Sequence, residues 1–361
     1  MRVLILADDL TGALDTAAQF PGKAVVLVDQ DYRVEAEVVA VSSDSRYLSP
    51  PQAKKKVSAI LESFPKPAHL YKKVDSTMRG NVGAELEAVK RYTGSRIPFT
   101  PAFPEQGRVI VDGNLLVDGV PLEDTQYAED LPIRSSSIIE LLKANSTLNP
   151  SFWEDGWGDV LVFRDIRSRE ELRQAFRSIV ERGAEKVMGG SAGLAMELSR
   201  YIGLIEAEKP SSRSPILVVS GSRNKTTIEQ LEELSRHIAV HEVGVKDLLG
   251  RVAEALKNGE DAAIASYLGG TLDYGKWRML PSLVKSLTSF IGGIILVGGE
   301  TTRLILTTLS AKAVRIGGSI EEGVAAGWII GGALDGKPIV TKAGGFGRRE
   351  TLLKLLRWLR Q

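Results

Sequence analysis

Two adjacent aspartates, Asp8 and Asp9, end the apolar run at residues 2–7, and a helix follows at once. Carboxylates that close resist ionising together, so one of them is suited to accept a proton. Asp9 and Thr11 are also of the types that cap helix starts, so the reading assigns capping to one of the aspartates and keeps the other for catalysis. Further along, "SSDSR" carries Arg46, and "KKVDSTMRGN" carries Lys72, Lys73, Asp75, Ser76, Thr77, Arg79 and Asn81. Arg holds a carboxylate bidentately, Lys supplies a point charge, and Asp or Ser hydrogen-bond hydroxyls; together they suit a small, polar, anionic substrate. A different chemistry occupies the second half, where "SGSRNKTT" (220–227), "GGET" (298–301) and "TKAGGFG" (341–347) are rich in glycine. Glycine at a strand-to-helix turn lets backbone N–H groups approach phosphate. Three such turns, one with Lys342 beside it, point to a nucleotide.

Both groups follow apolar, β-rich runs that alternate with helix-length amphipathic stretches. That pattern predicts an α/β protein of two domains with largely parallel sheets. Ligands of open α/β sheets bind at the carboxyl ends of strands, which is where these residues stand. Strands are expected at 2–7, 24–28, 38–42, 68–74, 96–100 and 159–163, with a helix opened by Ser168. The segment "RVIVDGNLLVDGVPL" is expected to form a β-hairpin arm turning at Asp112-Gly113-Asn114. These elements make an N-terminal domain, 1–205. The polar stretch "EAEKPSSRSP" marks the boundary, with 206–214 as linker and hinge and 215–361 as the second domain. There "ILVVSGS", "AAIASYLGG", "GGIILVGGET" and "KPIVTKAGGFG" predict strands, and 224–236, 247–257 and 350–360 predict helices, the last packed by its Leu and Trp face.

A chain of 361 residues exceeds the usual span of one hydrophobic core. Lys and Arg number 46 against 45 Asp and Glu, a net charge of +1, which removes any global electrostatic case for nucleic acid or an anionic membrane. The absence of cysteine excludes disulfides, thiolate catalysis and zinc–thiolate sites and fits a reducing compartment. No apolar stretch approaches the ~20 residues of a membrane helix, so a cytoplasmic protein is expected. "GGALDGKP" (331–338) has Walker spacing, but Pro338 replaces the required hydroxyl and a strand follows, so it reads as a turn. A G-x-G-x-x-G fingerprint is missing after the first strand, which speaks against a dinucleotide oxidoreductase. His237 and His241 lie four apart without an acidic companion, and no protein ligand to a metal is assigned.

Taken in order, "ADDLTGALDTA", "KKVDSTMRGNVGAEL", "PAFPEQGR" followed by "DGNLLVDGVPL", "GGSAGLA", "GGETT" and "TKAGGFG" resemble the four-carbon acid sugar kinase family from Asp8 to Gly347. The resemblance implies an ATP-dependent kinase that phosphorylates the terminal hydroxyl of threonate, erythronate or 3-oxo-tetronate. The N-terminal domain would hold the acid sugar and the C-terminal domain the nucleotide. It implies substrate contacts at Asp8, Arg46 and Lys73 to Ser76, Asp75 among them, with Arg79 a neighbour; Asp9 is counted with them as the second carboxylate of the pair. Nucleotide contacts are implied at Ser222, Gly298, Gly299, Glu300, Thr301, Gly344 and Gly345, and Lys342, beside those glycines, is expected to join them. The chain departs from the family pattern at Asn224, where a serine is usual, and at Thr302, where alanine is.

Phosphoryl transfer needs positioning, a base near the attacking hydroxyl and positive charge around the phosphates, with Mg²⁺ bridging. The expectation is that Arg46 with Lys73 or Arg79 grips the sugar carboxylate and that Asp8 or Asp75 is the base. A receiver domain would need an aspartate ending the third strand, where Ser42 and Ser43 stand; a haloacid-dehalogenase-type phosphatase would need D-x-D. A non-catalytic acid-sugar sensor, or a kinase of another small hydroxy acid, remains the alternative. Whether copies assemble into a homo-oligomer is left open.

Overall fold

A computed structural model describes residues 1–130, 134–203, 208–269 and 274–361. The chain divides into two units, Met1–Phe20 with Glu35–Leu204, and Pro21–Val34 with Ile205–Gln361. The first unit is built on seven parallel strands in the order Val38–Ser42, Val3–Ala7, His69–Lys73, Val187–Gly190, Ile97–Thr100, Val160–Val162, Pro150–Phe152. Val3 to Ala7 are at most 1% exposed, as expected of a parallel strand covered on both faces, which is why this run is continuously apolar rather than alternating.

Register decides which loops meet. Ala7 is level with Ser42 on one side and Lys73 on the other, and Lys73 is level with Gly190. The residues that follow these positions therefore emerge at one edge. The expected hairpin arm is present as strands Arg108–Val111 and Asn114–Val117, joined through Asp112 at φ 47° and Gly113 at φ 75°. Two successive left-handed residues match the twist of a two-residue hairpin turn. A second turn through Asp118 and Gly119 adds the short strand Val120–Pro121.

The second unit carries five parallel strands in the order Ala239–Glu242, Ala262–Ala265, Ile216–Ser220, Gly293–Val297, Pro338–Lys342. Antiparallel Val324–Ile330, Ala313–Glu321 and Ala24–Leu27 extend it. Ala24–Leu27 was expected within an N-terminal domain of 1–205; instead Leu27, Val26 and Val25 pair with Ala313, Val314 and Arg315, so residues 21–34 belong to the second unit. The hairpin of Ala313–Glu321 and Val324–Ile330 was not anticipated as strands. The stretch 331–338 is the expected turn between strands. Of the expected hinge at 206–214, residues 206 and 207 lie outside the described residues. The C-terminal helix Thr351–Arg360 buries Leu352, Leu353, Leu355, Leu356 and Leu359 in this unit's core, with Trp358 packed against it.

Candidate active site

In the first unit the edge of the sheet gathers a dense charge network. The helix Leu10–Ala17 begins immediately after the first strand, and Asp9 is its cap, accepting from Gly12 N at 2.6 Å. Asp8 is thereby left for other work. Its side chain is 3% exposed, and Oδ2 accepts from Arg46 Nε at 2.7 Å while Oδ1 has no hydrogen-bond partner among the described residues. Arg46 also reaches Asp9 Oδ2 at 2.7 Å and Asp75 Oδ1 at 3.7 Å, so one guanidinium serves three carboxylates. Asp75 is further held by Arg79 through both oxygens, at 2.9 and 3.0 Å, and by the hydroxyl of Thr77. Ser76 is half-buried in the same turn.

Burial works against all three carboxylates, and the cations outweigh it at two of them. For Asp8 the burial penalty is outweighed by Arg46, Lys72 and Lys73, which hold its carboxyl below the usual range. Asp75, despite burial, is held well below it by Arg79 and Arg46. Asp9 goes the other way: burial and the neighbouring Asp8 charge push its carboxyl up against the pull of Arg46. The proton-accepting tendency expected of one aspartate thus falls on the helix cap, and Asp8 stays ionised. Those carboxylates in turn push the Arg46 guanidinium well above its ordinary value, against burial.

Behind Asp8 lies a pair that the sequence reading did not single out. Lys72 and Glu85, 0% and 1% exposed, are 2.7 Å apart, and Ser45, bonded to Ser43, donates to Glu85. Lys73 is 5% exposed and forms no ion pair among the described residues. A Cβ built on Gly12 would stand 2.8 Å from Asp9 Oδ1, 3.2 Å from Lys73 Nζ and 3.7 Å from Asp8 Oδ1, so this glycine lets the helix start approach all three side chains closely.

The second unit is built from backbone. Ser220 is level with Ala265 and Val297, and Val297 with Lys342, so the four loops beyond these residues converge. A cavity of about 330 Å³ is lined by Gly221, Ser222, Arg223, Ser266, Tyr267, Trp277, Gly298, Gly299, Glu300 and Thr301. Gly298, at φ 97°, caps the helix Gly299–Thr308. Trp277 Nε1 donates to Thr301 Oγ1 at 3.2 Å, and a Cβ on Gly221 would stand 2.1 Å from that hydroxyl oxygen and 2.5 Å from the indole. Ser266 and Tyr267 follow the strand Ala262–Ala265, so applying the strand-end rule to that junction would have found them; nothing local marks Trp277.

Gly344 and Gly345 stack on the 222–224 loop. A Cβ on Gly344 would stand 2.5 Å from Ser222 Oγ, and Thr227 Oγ1 donates to Gly344 O at 2.6 Å. Lys342 does not line the cavity. It is 1% exposed, and its ammonium donates to Ala343 O and Phe346 O, both at 2.8 Å, and to Gly344 O at 3.3 Å, tying the glycine loop to the strand before it. Burial pushes this amine down to about 7, opposed by Glu321. The two departures from the family pattern are absorbed locally: Asn224 caps the helix Lys225–Leu234, and Thr302 bonds back to Gly298 O.

Comparison with known proteins matches residues 3–154 to a family model described as a sugar-binding N-terminal domain and residues 278–352 to a nucleotide-binding C-terminal domain. The chain is 26% identical over its full length to a D-threonate kinase of Salmonella typhimurium, covering 99% of it. It is also 26% identical, over 97% of its length and 95% of the relative, to a D-erythronate kinase of Heliobacterium modesticaldum. This chain belongs to the four-carbon acid sugar kinase family. A solved structure from Salmonella typhimurium LT2 shares the fold over the full length of both chains, with a TM-score of 0.82 at 21% identity. As in the family's two matched domains, the charged loops of this kinase lie in the sugar-binding part and the Gly298–Thr301 loop in the nucleotide-binding part. Among the described residues, no helix is long and apolar enough to cross a membrane.

Proposed function

We propose that this chain transfers the γ-phosphoryl group of ATP to the terminal hydroxyl of a four-carbon sugar acid such as threonate, erythronate or 3-oxo-tetronate, with Asp8 as the base. The observation that carries the assignment is the asymmetry of the Asp8 carboxylate: one oxygen is fixed by Arg46, and the other, without a partner among the described residues, lies beside Gly12 and Lys73. A base must have an accepting lone pair in reach of the proton it takes. Asp75 has both oxygens committed to Arg79 and Thr77, and Asp9 is committed to its helix. Asp75 therefore serves to hold Arg79 and Arg46 in place. Lys73 supplies positive charge next to the attacking oxygen, and Arg46 keeps Asp8 ionised.

The second unit fits a nucleotide. Its cavity presents glycine backbone and the N-terminus of the helix Gly299–Thr308 to phosphate, and Tyr267 and Trp277 offer aromatic surface to a base. Glu300 is the one carboxylate among the residues that line it, beside the hydroxyls of Ser222 and Thr301. That donor set suits Mg²⁺ carried mainly by the phosphates, an ion that would supply charge neutralisation there when bound. The test is coupled ADP release with Mg-ATP against D- and L-threonate, D- and L-erythronate, their 3-oxo analogues and longer aldonates. Turnover confined to four-carbon acids is expected. Turnover on none of them, with ATP still bound, would overturn the reading.

A further inference from the structure

The motif "PAFPEQGR" plays no part in the chemistry above, yet it ends in a buried cation, Arg108. Pro104–Gln106 form a 3-10 turn closed by Gly107 at φ 71°, and Phe103 and Arg108 exchange backbone hydrogen bonds across it, at 2.9 and 3.1 Å. Gly107 suits this left-handed turn, and a Cβ there would stand 1.9 Å from Asp118 Oδ1, so another residue would have to displace that side chain. The turn delivers Gln106 and Arg108 side by side, Arg108 Nη1 donating to Gln106 O and Nη2 to the Tyr127 hydroxyl at 3.1 Å. Tyr127 is shared. The Arg108 guanidinium lies 5.3 Å from its ring centroid, and that of Arg79, the partner of Asp75, lies 5.6 Å from it.

Arg108 is 8% exposed and forms no ion pair among the described residues. Its Nε–H and the Gln106 amide nitrogen are both buried without a hydrogen-bond partner among the described residues. A guanidinium is rarely buried this far unless paired with an anion, and buried donors are nearly always satisfied. Two buried donors from one turn, one of them charged, match an oxyanion with two accepting oxygens. Such an anion is a carboxylate or a phosphoryl group. The carboxylate is favoured because the phosphoryl group must arrive where Asp8 meets the hydroxyl, and Arg108 adjoins that network through the Tyr127 ring, which it shares with Arg79. Arg46, meanwhile, is already shared among three carboxylates.

We infer that Gln106 and Arg108, braced by Tyr127, form the subsite that takes the carboxylate of the acid sugar and so distinguishes an acid from a neutral polyol. This rests on the kinase reading above and moves the carboxylate away from Arg46. The experiment compares the wild type, Arg108→Met and Gln106→Leu on the four-carbon acid the enzyme turns over and on the alditol that carries a hydroxymethyl in place of its carboxylate. Calorimetric titration with the acid is run in parallel. Arg108→Met should lose about 10- to 100-fold in acid affinity and in kcat/KM for the acid, with KM for ATP unchanged and the weak alditol rate retained. Gln106→Leu, which removes no charge, should lose less in the same pattern. Wild-type acid affinity in both variants, or equal losses on acid and alditol, would overturn the subsite. If the wild type itself turned over no four-carbon acid, the kinase reading would fall and the subsite with it.

Discussion

The two functional regions solve recognition in opposite ways. The sugar-binding part is crowded with charge: Asp8, Asp9 and Asp75 share Arg46, Asp75 is clamped by Arg79, and Lys72 with Glu85 lies buried behind them. The nucleotide-binding part contributes backbone and space, with glycines at 221, 298, 299, 344 and 345 and one exposed glutamate, Glu300. A small hydroxy acid has little surface to bury, so selectivity must come from fixed donors and acceptors, and these hold their positions by neutralising one another. A nucleotide brings its own charge and bulk and asks mainly for close backbone approach.

The largest expected effect breaks the first region. Arg46→Met leaves three carboxylates around an uncharged side chain, and losing one partner of a buried pair costs about 3–5 kcal/mol. Thermal unfolding should show that loss along with abolished turnover; wild-type stability would mean the network is not what holds this edge together. Next, Asp8→Asn keeps the shape and removes the base. It should lower kcat by about 10²- to 10⁴-fold with little change in KM for ATP, and near-normal turnover would remove Asp8 from the mechanism.

The complementary change falls in the second region. Gly221→Ala pushes a methyl into Thr301 and Trp277, so KM for ATP should rise about tenfold while KM for the acid stays put; equal shifts in both would show that the regions do not divide the labour as described. The smallest effect sharpens the comparison through pH. Lys342 loses its proton near 7 in the folded chain but near 10.4 when unfolded, so between those values the unfolded state holds more protons. Wild-type stability should therefore rise with pH across that window, by at most about 1.4 kcal/mol per unit, and Lys342→Met should flatten the rise in denaturant titrations at pH 7, 8 and 9. An identical slope in both proteins would show that the amine is not held near 7.

Much of this was legible as residue types at strand ends. Asp8, Arg46, Lys73, Asp75 and Arg79 stood out because charged residues directly after apolar runs have few structural reasons to be there. The glycine loops stood out because three recurred at equivalent junctions. The strand 24–28 was legible too, but not its home, since antiparallel pairing with Ala313–Arg315 joins segments almost three hundred residues apart. Glu85 lies within a motif already noticed, yet its importance comes only from Lys72 beside it. Lys342 looked like a phosphate ligand next to glycines, and its ammonium in fact spends itself on the carbonyls of its own loop.

The amino-acid sequence by itself determined the two chemistries, their order along the chain and the α/β scaffold that carries them, because hydrophobic period, turn glycines and charge are local properties. Only the tertiary structure decided which aspartate caps the helix and which keeps an oxygen free, which cation is already spent on carboxylates, and which, like Arg108, lies buried without one. Those outcomes depend on strand register and on the distances between side chains from different loops, and no spacing within a single segment encodes them.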